Sequence, residues 1–182
     1  MRSLALLLAV AAGPALATGL DIEISGGTSG TVHVELFEDV APEHVARLTD
    51  LAERGAYDGV VFHRVIAGFM AQTGDVQYGV AGADLSRAGT GGSDLPDLAQ
   101  EFSDLPFEPG TVGMARSGAS VDSANSQFFI MFDAAPHLNG QYTVVGEVTS
   151  GMEIVDAIKR GDGRSGSVSG TPDVMERVTV TE

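Results

Sequence analysis

Residues able to support metal, nucleophilic or phosphate chemistry are present, but not at the spacings those reactions need. The four histidines, His33, His44, His63 and His137, form no His-Glu-x-x-His pair and cysteine is absent, so a catalytic metal has no ligand set. Ser117 and Ser120 lie near glycine but outside a Gly-x-Ser-x-Gly elbow. Gly89-Thr90-Gly91-Gly92-Ser93 is not followed by the Gly-Lys-Ser/Thr of a phosphate-cradling loop. Two segments are more distinctive. Val61 to Asp75 places Arg64, Phe69, Met70 and Gln72 around one strand–turn–strand, and Gly113-Met114-Ala115-Arg116 is followed by Asn125-Ser126-Gln127-Phe128-Phe129-Ile130. Their chemistry is a cationic donor, side-chain amides and apolar surface, with no nucleophile. Taken singly, each has a plain structural reading: an arginine in an apolar strand forms a salt bridge, and a methionine fills a core.

The elements that must position these residues can be read from periodicity. Asp21 to Ile24 and Val32 to Leu36 alternate apolar and polar residues on either side of Gly26-Gly27-Thr28-Ser29-Gly30, which predicts a hairpin. Pro42 opens a helical pattern carried by Val45, Leu48, Leu51 and Ala52, and Gly55 stops it. Short β-like runs follow at Val60 to Ile66, Phe69 to Gln72, Thr111 to Ala115, Ser126 to Phe132 and Tyr142 to Val148, a pattern of barrels or sandwiches. A second helix is expected over Met152 to Arg160 and a last strand over Arg177 to Thr181. Gly74 to Gly110 is too long and too poor in aliphatics for a simple connection, and is expected to be an irregular surface segment.

Composition narrows the class. Arg2, the apolar run Leu4 to Val10 and Ala15-Leu16-Ala17 read as a cleavable signal peptide over residues 1–17, leaving residues 18–182 as one domain. The protein is expected to be exported, periplasmic or beyond, with no membrane insertion after cleavage. A formal net charge of −15, with Lys159 the only lysine, disfavours nucleic acid as a partner.

The two distinctive segments, together with His137 to Gly146 and Gly151-Met152-Glu153-Ile154-Val155, resemble the cyclophilin family of peptidyl-prolyl isomerases. The resemblance implies a closed eight-stranded antiparallel β-barrel capped by two α-helices. It implies catalysis by Arg64, a proline pocket of Phe69, Met70, Phe129 and Leu138, and polar substrate contacts from Gln72, Gln127 and the backbone near Ala115 and Arg116. By the same resemblance His137, at the rim of the pocket, and Tyr142 also contact substrate; His137 stands where animal relatives usually have tryptophan and Tyr142 where they usually have histidine, and the tyrosine resembles the bacterial branch. Phe128 and Phe129 must face opposite ways in a strand. Spacing does not say which lines the groove, and the choice of Phe129 follows the resemblance. His63, preceding Arg64, is read as structural.

The activity implied is rotation about X-Pro bonds in proline-containing polypeptide clients, by a monomer with no cofactor. A binding or chaperone module with the same groove and little turnover is the alternative, and it would not require the charged donor.

Overall fold

The computed structural model describes residues 18–182; the expected signal peptide lies outside them. Strands β1 (Gly19–Ser25) and β2 (Gly30–Leu36) form the anticipated hairpin, with Leu20, Ile22, Ile24, Val32, Val34 and Leu36 turned inward. Helix α1 (Pro42–Glu53) follows, then the short strands β3 (Val60–Val61), β4 (Arg64–Ile66) and β5 (Met70–Thr73). After the long irregular segment come β6 (Thr111–Met114), β7 (Phe128–Met131), β8 (Val144–Ser150), helix α2 (Met152–Ala157) and β9 (Val174–Thr181).

The strands make one antiparallel sheet in the order β3-β9-β1-β2-β8-β6-β7-β5-β4. This corrects the expectation of eight strands in a closed ladder: among the described residues there are nine strands, and no ladder joins β3 to β4. The ninth arises because the run from Val60 to Ile66 is interrupted. Phe62 N–H leaves the ladder to donate to the Asp173 carbonyl (2.9 Å), and the His63 carbonyl accepts from Val168 N–H (3.1 Å). Since only Phe62 and His63 separate the two edge strands, the sheet has to curl until its edges lie within a few residues' reach. Loop backbone covers both edges, Val61 N–H donating to the Gly79 carbonyl and Val65 N–H to the Gly166 carbonyl, which blunts them against further pairing.

Alternation divides the strands near the edge into two faces. Val65, Ala71, Phe128, Ile130, Val112 and Met114 join the main core, and Arg64, Gln72, Met70, Phe129 and Met131 point to the other face. Beyond them a smaller apolar cluster forms, with Phe107, Ala135, Leu138 and Val144. A groove therefore lies on the outer face of β4, β5, β7 and β6.

Helix α1 buries His44, Val45, Leu48, Leu51 and Ala52. Ala41 offers no side-chain cap, so Glu101 from the long segment supplies one, accepting from Glu43 and His44 N–H (3.2 and 3.1 Å) and contacting His44 Nδ1 (2.6 Å). Gly55, at φ +66°, ends the helix as its N–H and that of Ala56 return to the Ala52 and Leu51 carbonyls. Helix α2 stops at Ala157, earlier than its apolar pattern suggested. Ile158 is extended, Arg160 turns back to the Ile158 and Asp156 carbonyls, and Lys159 N–H is taken by Asp173 (2.7 Å).

The segment between β5 and β6 is irregular apart from one 3-10 turn at Leu85–Arg87, as anticipated. Besides Glu101 it is held by Asn125, whose Oδ1 accepts from Ser93 N–H (2.7 Å) and whose Nδ2 donates to the Leu95 carbonyl (2.9 Å).

Candidate active site

Strand register builds the centre of the groove. Arg64 pairs with Gln72, Gln72 with Phe129, and Phe129 with Gly113, so one cross-strand row runs over four strands. The row alongside holds Ile66, Met70 and Met131. A charged donor, an amide and an aromatic ring are thereby held on rigid backbone rather than on loops.

Gly113 is the floor of this row. A Cβ there would lie 2.6 Å from both Phe107 Cε1 and Phe129 Cζ, so the absent side chain lets the two rings stack at a centroid distance of 5.7 Å. Tyr142 meets Phe129 edge-on at 5.8 Å, and the Arg116 guanidinium lies 4.4 Å over the Tyr142 ring. Arg116 is itself fixed by donating to the Gln141 and Ser117 carbonyls (both 3.1 Å). The resulting cavity, about 150 Å³, is walled by Phe69, Met70, Phe129, Leu138 and Tyr142, with Arg64 and Gln72 on one side and Ala115 and Arg116 on the other. A space of roughly this volume has room for a single small ring.

Arg64 Nη1 donates to Gln72 Oε1 (3.0 Å) and its Nε to the Ser165 carbonyl (3.0 Å), while Nη2 meets no acceptor among the described residues. Two anchored nitrogens thus fix a guanidinium that lines the cavity and leave its third nitrogen available as a donor. Burial draws the Arg64 pKa downward, with Tyr142 opposing, yet an arginine starts so high that it stays charged. Gln72 Nε2 donates to Gln127 Oε1 (2.9 Å), and Gln127 Nε2 to the Gly91 carbonyl (2.8 Å).

Of the residues anticipated from sequence, Arg64, Phe69, Met70, Gln72, Ala115, Arg116, Phe129, Leu138 and Tyr142 converge on this cavity. Gln127 lines a second, adjoining cavity of about 530 Å³ whose far wall is Gly89 to Ser93. His137 is outside the lining and exposed, its ring stacked on Phe69 at 5.8 Å. Phe128 is buried in the core, edge-on to Tyr57 at 5.7 Å, which answers the question of the two phenylalanines. Sequence reasoning assigned nothing to Gly113, Phe107 or the Ser165 carbonyl. The glycine inside a strand pattern was the available signal of close packing.

His63 is buried beneath the groove with neither ring nitrogen hydrogen-bonded among the described residues. Burial lowers its pKa below the ordinary value; Asp75 opposes this and Arg64 adds to it. The folded state thus holds the imidazole neutral, whereas the unfolded chain takes up a proton near pH 6.5. His63 then contributes stability that is present above about pH 6.5 and lost as pH falls from there toward the lower folded value. Chemical-denaturation midpoints measured down that range should fall for the wild type and fall less for His63→Gln. Equal slopes would show that His63 does not titrate in this way.

The family model described as cyclophilin type peptidyl-prolyl cis-trans isomerase/CLD matches residues 20–181. The chain belongs to the cyclophilin family. A relative from Brucella suis, named a probable peptidyl-prolyl cis-trans isomerase, is 58% identical over 153 residues, covering 83% of this cyclophilin and 78% of the relative. Peptidyl-prolyl cis-trans isomerase B of Bacillus subtilis is 40% identical over 132 residues, covering 72% and 85% of the two chains. Among solved structures, a Cryptosporidium parvum cyclophilin determined in the presence of the dipeptide Ala-Pro has a TM-score of 0.76 at 24% identity, covering 90% of this chain and 99% of that one. This likeness establishes the fold. With the family and its curated relatives, the protein is a peptidyl-prolyl cis-trans isomerase.

Proposed function

We propose that this cyclophilin isomerises X-Pro bonds in exported polypeptides by seating the proline ring against Phe129 and directing the free Arg64 N–H at the prolyl nitrogen. The observation that carries the reading is the Arg64–Gln72–Phe129 row, which sets an anchored guanidinium beside a cavity of single-ring size with an apolar wall of Phe69, Met70, Phe129 and Leu138.

An amide resists rotation because nitrogen shares its lone pair with the carbonyl, with a barrier of about 18–20 kcal/mol. Twisting the bond returns the lone pair to a pyramidal nitrogen. A donor aimed there stabilises the twisted form over both planar ones, which is transition-state binding without a covalent step. Raising a spontaneous rate of ~10⁻² s⁻¹ to ~10² s⁻¹ requires about 5.4 kcal/mol. One preorganised donor supplies ~3–4 kcal/mol by analogy with oxyanion holes. The rest falls to the proline pocket and to Gln72, Gln127 and nearby backbone, which hold the peptide while its carbonyl swings.

A protease-coupled assay on a short Ala-Pro peptide tests this reading. Catalysed exchange at low enzyme concentration is expected; binding of the peptide without acceleration would instead support a chaperone module.

Export rests on residues 1–17, whose charged start, apolar run and Ala15-x-Ala17 ending suit a signal peptidase. The mature protein should begin at Thr18. Mass spectrometry of the extracytoplasmic fraction would read that terminus, and an intact Met1 form confined to the cytosol would refute export.

A further inference from the structure

Asp75 is fully buried, makes no ion pair among the described residues, and gathers four backbone N–H groups. Its Oδ1 accepts from Gln77 (3.1 Å) and Tyr78 (2.9 Å), closing a local turn. Its Oδ2 accepts from Gly89 (2.7 Å) and Gly91 (2.9 Å), across the chain in the wall of the larger cavity. Gly91 sits flush on this carboxylate. A Cβ there would lie 2.5 Å from Asp75 Oδ1 and 2.7 Å from Tyr78 Cδ2.

Gly91 also faces the groove, through the next peptide unit: Asp75 holds the N–H on one side of its Cα, and the carbonyl on the other side meets Gln127. That carbonyl accepts from Gln127 Nε2, Gln127 Oε1 accepts from Gln72 Nε2, and Gln72 Oε1 accepts from Arg64 Nη1. The order matters, because an amide can enter such a chain in two senses. A carbonyl only accepts, so Gln127 must turn its NH₂ toward Gly91. Its oxygen then faces Gln72, which in turn must show oxygen to the guanidinium. With the opposite polarity Gln72 would present an NH₂ to Arg64, two donors facing each other.

We propose that Asp75 is a positioning residue for isomerisation: by pinning Gly91 it sets the polarity of Gln127 and Gln72 and so the orientation of the Arg64 guanidinium. The inference rests on the reading of Arg64 as the donor to the prolyl nitrogen. Asp75 itself does not line the cavity beside Arg64.

Asp75→Asn isolates the effect, since an amide keeps the shape but has one oxygen, and its NH₂ must face one of the two N–H pairs. In the folded variant kcat should fall about tenfold with KM changed less than twofold, the scale of one lost neutral hydrogen bond expressed only at the donor. The side-chain amide resonances of Gln72 and Gln127 should shift or broaden. On a Gln127→Ala background the same substitution should change kcat by less than about twofold, because the link is already cut.

A full and independent loss on that background would overturn the proposal, as would a change confined to KM or unchanged kcat in folded Asp75→Asn whose Gly91 N–H exchanges rapidly. If the asparagine keeps its oxygen on Gly91, so that this N–H stays protected, the same kinetics are read on Asp75→Ala, which has no acceptor, and unchanged kcat there would overturn it. Should Asp75→Asn not fold, hydrogen exchange on the wild type decides. Protection of Gly89 and Gly91 N–H and of the Gln127 amide protons is expected, and rapid exchange at Gly91 and Gln127 would overturn it. These NMR readouts do not depend on the role of Arg64, so an active Arg64→Ala protein would remove the donor reading while leaving the link from Asp75 to Gln72 separately measured.

Discussion

Arg64→Ala should lower turnover on an Ala-Pro peptide on the order of 10²–10³-fold while the peptide still binds, the size of effect seen when one preorganised donor is removed. The substitution takes away the guanidinium but leaves the walls formed by Phe69, Met70, Phe129 and Leu138. Folding should survive, since the arginine makes two hydrogen bonds on a half-buried edge strand and no ion pair among the described residues. Arg64→Lys should recover only part of the rate. A flexible ammonium cannot keep one nitrogen on Gln72, a second on the Ser165 carbonyl and a third on the substrate in one plane. Coupled-assay kinetics with circular dichroism would measure both variants, and full recovery by lysine would show that charge alone suffices.

Phe129→Ala should damage binding and turnover together. The ring carries the stack on Phe107 and the edge contact with Tyr142, and its outer side forms the cavity wall. Losing the apolar contact with a proline ring, at about 1.5–3 kcal/mol for a buried side chain, corresponds to roughly 10- to 100-fold weaker seating. Because the same contact serves ground state and transition state, KM should rise and kcat/KM should fall. Phe128→Ala provides the contrast. Its ring lies against Tyr57 in the main core, so it should cost about 3–5 kcal/mol of stability while the folded fraction keeps its KM. Urea melts and Michaelis kinetics on both variants would test the pair, and equal KM effects would contradict the division between faces.

That division shows how far sequence reaches. Alternation placed Ile22, Ile24, Val32 and Val34 inside correctly, and Pro42 with Gly55 bounded the first helix, because both are local rules. The same alternation said only that Phe128 and Phe129 part company. Which one faces the groove depends on the register of β5, β6 and β7, set by contacts dozens of residues apart. The break at Phe62 and His63, which makes nine strands of the expected eight, is fixed by Asp173 and Val168, more than a hundred residues away. Arg64, Gln72 and Gln127 were visible as motif residues. The Gly91 carbonyl that orders them was not, since backbone groups leave no mark on a sequence, and Asp75 stood only as the last residue of the first distinctive segment. His137 was expected at the rim of the pocket, and its stacking on Phe69 places it one layer outside the wall.

The most direct measurement is two-dimensional exchange NMR on an Ala-Pro peptide, with wild type and Arg64→Ala run side by side so that binding shifts and cis–trans exchange are read from one sample. With Arg64 as the donor, catalysed exchange cross-peaks are expected with the wild type, and with folded Arg64→Ala the same peptide shifts but exchange close to the uncatalysed rate. Exchange near the wild-type rate in that variant would contradict that role.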